Sequence, residues 1–139
     1  MDCKICDIHH TKSIPMLVGE TFHWVIRHSE FTKNAPGYLY IEPKRHVESY
    51  NDLIHGEFMQ LGECMKMATE WIYRHFKPLK LYTITVSEAV PHLHFHLVPR
   101  FEDSPKGIEF LQEALSGKLQ ATPKAQAELE RILKLFEEN

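Results

Sequence analysis

His92-Leu93-His94-Phe95-His96-Leu97-Val98 alternates imidazoles with apolar side chains. A period of two belongs to a β-strand, whose successive side chains point to opposite faces. Leu93, Phe95 and Leu97 are therefore expected on a buried sheet face and the three rings on the other. At about 3.3 Å of rise per residue, neighbouring rings start about 6.6 Å apart and the outer two about 13 Å apart. One ion collects two such rings, hardly all three. A solvated sheet face would ordinarily mix Thr, Lys and Glu, so three histidines in a row call for a chemical reason.

Upstream of this strand, Leu79–Val86 reads as a second strand, entered after Pro78 closes a long helix. That helix is expected over Asn51–Phe76, where Leu53, Ile54, Phe58, Leu61, Cys64, Met65, Ala68, Trp71, Ile72 and Phe76 recur at steps of three and four. Cys64 sits on the stripe and reads as a small core residue. Further upstream, Thr21–Arg27 is β-branched and aromatic, and Tyr38–Ile41 follows Pro36-Gly37, so the two form an expected hairpin. Downstream, helices are expected over Pro105–Leu115 and Pro123–Phe136. The order predicts an α+β fold: an antiparallel sheet with a long helix packed on one face and a helical C-terminal tail. We read one domain over residues 1–139, with the motifs in 1–101 and a helical extension in 102–139.

With 139 residues, 43% hydrophobic and 25% charged, the composition is that of an ordinary globular chain. No stretch is apolar for long enough to span a bilayer, and the start lacks the apolar run of a signal peptide, so a cytoplasmic location is expected. The net charge of −3 comes entirely from residues 102–139, five basic against eight acidic. The basic face that general nucleic-acid binding needs is missing. A small phosphorylated ligand held by a few donors fits better.

The histidine row has two chemical readings. A neutral imidazole is a nucleophile near pH 7 and a neighbouring imidazolium donates to phosphate oxygens. Alternatively, two of the rings join ligands from elsewhere around a metal ion. Arg100, four residues past the last ring, suits phosphate oxygens. Cys3 and Cys6 form a C-x-x-C compatible with redox chemistry, with a metal site or with two unremarkable thiols.

The run His92–Val98 resembles the His-φ-His-φ-His-φ-φ motif of the histidine-triad (HIT) family, with φ apolar. Asn34-Ala-Pro-Gly-Tyr-Leu-Tyr-Ile-Glu-Pro-Lys-Arg-His-Val47 resembles the same family's Pro-Gly-His-x-φ-φ-x-Pro-Lys-Arg-His segment. The resemblance implies a nucleotide hydrolase or transferase acting at an α-phosphate, here of a purine nucleotide conjugate, through a transient nucleotidyl-histidine. It assigns attack to His94 and support of a phosphate oxygen or leaving group to His96. A carbonyl accepting from Nδ1–H of His94 would leave Nε2 free. Members with an amino-terminal C-x-x-C are similar in a further respect, and they imply a structural zinc held by Cys3, Cys6, His46 and His92. Glu30 aligns with an acidic residue that accepts ribose hydroxyls. The family also implies a homodimer with the long helices packed together, where Trp71, Met65 and Met67 would suit the interface.

The chain departs from the family at three positions. Tyr38 replaces the histidine after Pro-Gly, Glu88 replaces an amide, and Ala89 replaces a hydroxyl that contacts phosphate. Tyr38 and Glu88 remain candidate nucleotide contacts, Glu88 as an acid or base. These departures keep open a zinc-stabilised nucleotide-binding module with little catalysis. A third reading is a hydrolase using the triad itself as metal ligands. His9 and His10 read as solvated loop residues; His23, His28, His55 and His75 as surface or satisfied polar positions. Lys44 and Arg45 are expected in solvent, and Arg100 likewise.

Overall fold

The computed structural model describes residues 2–30, 35–101, 105–118 and 123–137, with side chains as far as Lys134. Five strands, β1 (Leu17–Glu20), β2 (Trp24–His28), β3 (Leu39–Pro43), β4 (Lys80–Ile84) and β5 (Phe95–Arg100), form one sheet in the order β1-β2-β3-β5-β4. Every pairing is antiparallel. The helices are α1 (Lys4–His9), α2 (His55–His75), α3 (Gly107–Leu115) and α4 (Pro123–Glu137).

Alternation decides what each face carries. Trp24, Ile26, Leu39, Ile41, Phe95 and Leu97 are buried in one cluster with Cys64, Ala68, Trp71 and Ile72 of α2. Leu129, Ile132 and Leu133 of α4 join the same cluster, so the expected C-terminal extension is part of the main core. The α+β arrangement read from the sequence is the one found. The other face carries Arg27, Tyr40, Glu42, His94 and His96, and α3 packs at its far end through Phe110 and Ala114 on Tyr38 and Val98.

Several boundaries differ from the pattern. Leu53 and Ile54 are extended, and α2 starts at His55 after a 3-10 turn over Tyr50–Asp52. Glu57 causes the break: its carboxylate turns back to accept from the Ile54 N–H at 2.9 Å and from Arg45 Nη2 at 2.8 Å. Leu53 is thus core without being helix. Arg45, although exposed, is tied to this helix start rather than free in solvent. The strand of the histidine run is also shorter than its alternation. Its ladder closes at Ile84–His96 and Ile41–Phe95, and His94 and His92 lie on an extended lead-in. There, side chains replace the ladder: Ser87 Oγ accepts from the His94 N–H at 3.0 Å, and Thr85 Oγ1 donates to the His94 carbonyl at 2.6 Å.

Two elements carried no readable signal. β1 is four residues at a sheet edge with an irregular register beside Gly19. α1 is six residues, too short for periodicity, and its first turn is closed by Cys3 Sγ accepting from the Cys6 N–H at 3.3 Å. The expected hairpin turn at Asn34 and parts of the seams at 103–107 and 117–123 lie outside the described residues.

Candidate active site and metal centre

The lead-in to β5 sits between the end of β3 and the amino-terminal helix, and its rings divide by what their second nitrogen meets. His92 is buried, with Nε2 at 2.9 Å from the Pro43 carbonyl. A carbonyl only accepts, so Nε2 carries the proton and the Nδ1 lone pair faces the other way. There it meets Cys3 Sγ at 3.4 Å and Cys6 Sγ at 3.5 Å, while His46 Nδ1 lies 3.5 Å from Cys6 Sγ. The four ligand atoms all lie within 4.8 Å of one another.

A tetrahedral ion with metal–sulfur bonds of about 2.3 Å and metal–nitrogen bonds of about 2.05 Å has sulfur–nitrogen edges of about 3.6 Å. The three sulfur–nitrogen distances match such an edge, so this donor set fits a four-coordinate metal with no open position. Burial, then the hydrogen bond and charge of Cys3, push the Cys6 thiol up to about 11. The Cys6 thiol thus resists ionisation; a bound cation reverses that balance. Burial also pushes His92 down, favouring the neutral ring that a metal requires.

His94 is the mirror case. Its Nδ1 lies 2.7 Å from the His92 carbonyl, which places the proton on Nδ1 and leaves Nε2 as a lone pair. His94 lines an open cleft with Lys4, Ile5 and Ile8 of α1, Arg27, Glu30, Tyr40, Glu42 and Val90. His96 follows on the same face, ring centroids 4.9 Å apart. Its Nδ1 is 2.7 Å from the Tyr38 hydroxyl. Burial, then the neighbouring His94, push His96 down to about 4. The Tyr38 hydroxyl is pushed up by burial and then by Tyr40, so it stays protonated and able to donate.

The expected residues divide accordingly. Cys3, Cys6, His46 and His92 converge on one point. His94 and Glu30 line the same cleft. Tyr38 is buried behind His96 and touches it, and Glu88 is exposed on the bend before the triad. His9 corrects an expectation: it is not a solvated loop residue, because its Nε2 is 2.9 Å from Glu42 in a buried pair. Arg27 and Glu42, which sequence reasoning passed over, form the floor of the cleft. Glu42 is fully buried, and burial alone would raise its carboxyl, but hydrogen bonds from His9 and Arg27 hold it below the usual range. Glu42 shares its sheet face with Tyr40, but that alternation alone does not single it out as the partner of Arg27 and His9.

The family model described as HIT domain matches residues 15–103, more than half of the chain. The chain belongs to the HIT family. Among solved structures, it is similar to a member of the HIT family of proteins from Bacillus subtilis, with a TM-score of 0.67, 17% identity and 96% of each chain covered. It is also similar to a hypothetical histidine triad nucleotide-binding protein from Sulfolobus tokodaii strain7, with a TM-score of 0.69, 18% identity, 95% of this chain and 89% of that one. A HIT family hydrolase from Legionella pneumophila Philadelphia 1 gives 0.59 at 21% identity, over 76% of this chain and 100% of that one. No curated protein matches. The HIT fold is that of nucleotide-binding hydrolases and transferases, and among the described residues no helix is long and apolar enough to cross a membrane.

Proposed function

We propose that this HIT protein acts as a hydrolase or transferase at the α-phosphate of a purine nucleotide conjugate. The observation that carries the reading is the 2.7 Å contact between His94 Nδ1 and the His92 carbonyl, which leaves Nε2 unprotonated beside the cleft. In the first step the Nε2 lone pair forms a bond to the α-phosphorus while the bond from phosphorus to the leaving group breaks; the leaving group departs with the electron pair and takes up a proton. In the second, water or another acceptor attacks the same phosphorus, the N–P bond breaks, its electron pair returns to Nε2, and the acceptor releases a proton that balances the one taken up by the leaving group. His96, neutral and held by Tyr38, donates its Nε2–H to a phosphate oxygen when Tyr38 donates to Nδ1. Glu30, which lines the same cleft, accepts the ribose hydroxyls in this reading.

Zinc is the metal that the Cys₂His₂ set fits best, and with no open ligand position it ties α1 to the triad rather than taking part in the reaction. We also assign a homodimer through α2, for which Met67 is exposed, whereas Trp71 and Met65, expected at that interface, pack in the core of the chain itself. The exposed Glu88 and the absent hydroxyl at Ala89 favour the second reading, a nucleotide-binding module with little turnover. Acid-quenched mass spectrometry after mixing with nucleotide conjugates tests both. A nucleotidyl adduct on His94, lost in His94→Ala, supports the enzyme; binding with neither adduct nor turnover supports the module. Turnover unchanged in His94→Ala refutes the assignment of the nucleophile.

A further inference from the structure

The part of the cleft away from the triad is built by β2, β3 and α1. Arg27 is gripped there along one edge, with Nε and Nη2 each 2.8 Å from a Glu42 oxygen. Its guanidinium carbon lies 4.8 Å from the centroid of the Tyr40 ring. Glu42 takes a third bond from His9, so the group gripping Arg27 is itself fixed at both oxygens. A guanidinium has a second fork, formed by Nη1 and the remaining Nη2 hydrogen. Among the described residues no acceptor meets that second fork, and Arg27 lines the cleft. An arginine held this way presents two parallel donors at little entropic cost.

The formal charges around it cancel, Lys4 and Arg27 against Glu30 and Glu42. At the second fork the charge of Arg27 is already offset by Glu42, so an anion gains little there, whereas a neutral group with two adjacent acceptors is well matched. On a purine, that group is the O6/N7 edge of a 6-oxopurine. Adenine offers N7 but sets an N6 amino donor against the second N–H. β2 stands two strands from β5, or roughly 10 Å at about 4.8 Å per strand. That is the span from an α-phosphate at His94, across Tyr40, to the far edge of a base. Ile5, Ile8 and Tyr40 supply apolar surface for the faces of its ring.

We propose that Arg27 reads the base and that the cleft selects 6-oxopurine nucleotides over adenine nucleotides by bidentate donation to O6 and N7. The proposal rests on the nucleotide reading above. Calorimetric titration of the full chain as purified with GMP, IMP and AMP tests it, because IMP shares the O6/N7 edge of GMP without its 2-amino group. GMP and IMP are expected to bind at least about fivefold more tightly than AMP, the low end of a bidentate arginine contact. 7-Deaza-GMP, which lacks the N7 acceptor, should lose most of that advantage without any change to the protein. Arg27→Lys keeps a charge opposite Glu42 and removes the fork, and should bring GMP, IMP and AMP within about twofold of one another. Equal wild-type affinities for the three, full affinity for 7-deaza-GMP, or a preference surviving in Arg27→Lys overturns the proposal. Binding of none of them overturns the nucleotide reading and the proposal with it.

Discussion

Ser87 carries the chain through a φ of 55° five residues before His92, in the left-handed region that costs a non-glycine residue about 1–2 kcal/mol. Its hydroxyl accepts from the His94 N–H at 3.0 Å and lies 3.5 Å from His94 Nδ1. Two substitutions separate these roles. Ser87→Ala keeps the strained backbone and loses the acceptor, a loss of about 1 kcal/mol for a partly buried N–H. Ser87→Gly loses the same acceptor but relieves the strain, against a glycine entropy cost of about 0.5–1 kcal/mol. The glycine variant should therefore exceed the alanine variant by about 0.5–1 kcal/mol and approach wild type. Urea unfolding with a common slope reads the difference directly. If the alanine variant is as stable as the glycine variant, the strain argument fails. Both variants should turn over about tenfold or more slowly with ligand affinity unchanged, since the contact that fixes the His94 backbone beneath its ring is gone in each. Unchanged turnover in both would show that the hydroxyl does not position His94.

The metal centre predicts about one zinc per chain in protein purified without added metal; Cys6→Ser should abolish the stoichiometry, and chelation should lower the melting temperature. Folded metal-free protein with an unaltered melting curve would count against the site. His28 is buried, with Nδ1 on the Ser29 carbonyl at 2.7 Å and Nε2 accepting from the Gly37 N–H at 2.9 Å, and burial pushes it down to about 4. The unfolded chain then binds a proton that the folded chain refuses between about pH 6.5 and pH 4, so the stability contribution is complete above that window and falls by about 3 kcal/mol as pH drops through it. Unfolding at pH 7, 5.5 and 4.5 should show a shallower decline in His28→Gln than in wild type; identical slopes would refute the assignment. Leu129→Ala in α4 should cost about 2–5 kcal/mol, because this leucine is fully buried in the main core. A cost below about 1 kcal/mol would mean that α4 is an appendage.

What could be read in advance follows from which signals are local. Alternation at Leu93, Phe95 and Leu97 and the stripe from Leu61 to Ile72 reported burial correctly, because each residue's face is fixed by its own element's period. The helix start was misjudged because Leu53 and Ile54 satisfy the period while Glu57 and Arg45, twelve residues apart, stop it. The convergence of Cys3, Cys6, His46 and His92 became readable through family resemblance; spacing alone left the C-x-x-C open. Arg27, Glu42 and His9 stayed invisible for a physical reason. They come from β2, β3 and α1, each with an ordinary polar or charged residue, and only strand pairing brings them together under Tyr40.

The triad shows how one repeated residue acquires different chemistry from its backbone. Side chains at i and i+2 share a face, so alternation alone would give His92 and His94 equivalent surroundings. They differ because the ladder stops between them and His96. Freed from pairing, the His92 carbonyl takes the Nδ1–H of His94, and the Pro43 carbonyl takes the Nε2–H of His92. The two rings are therefore protonated on opposite nitrogens. One lone pair turns inward to two sulfurs and the other toward the cleft. A continuous strand through residue 92 would have committed the His92 carbonyl to a neighbouring N–H and left the tautomer of His94 unspecified. The early end of β5, which the alternating sequence conceals, is thus what turns the His92 lone pair toward two thiols and the proposed nucleophile, two residues away, toward the cleft.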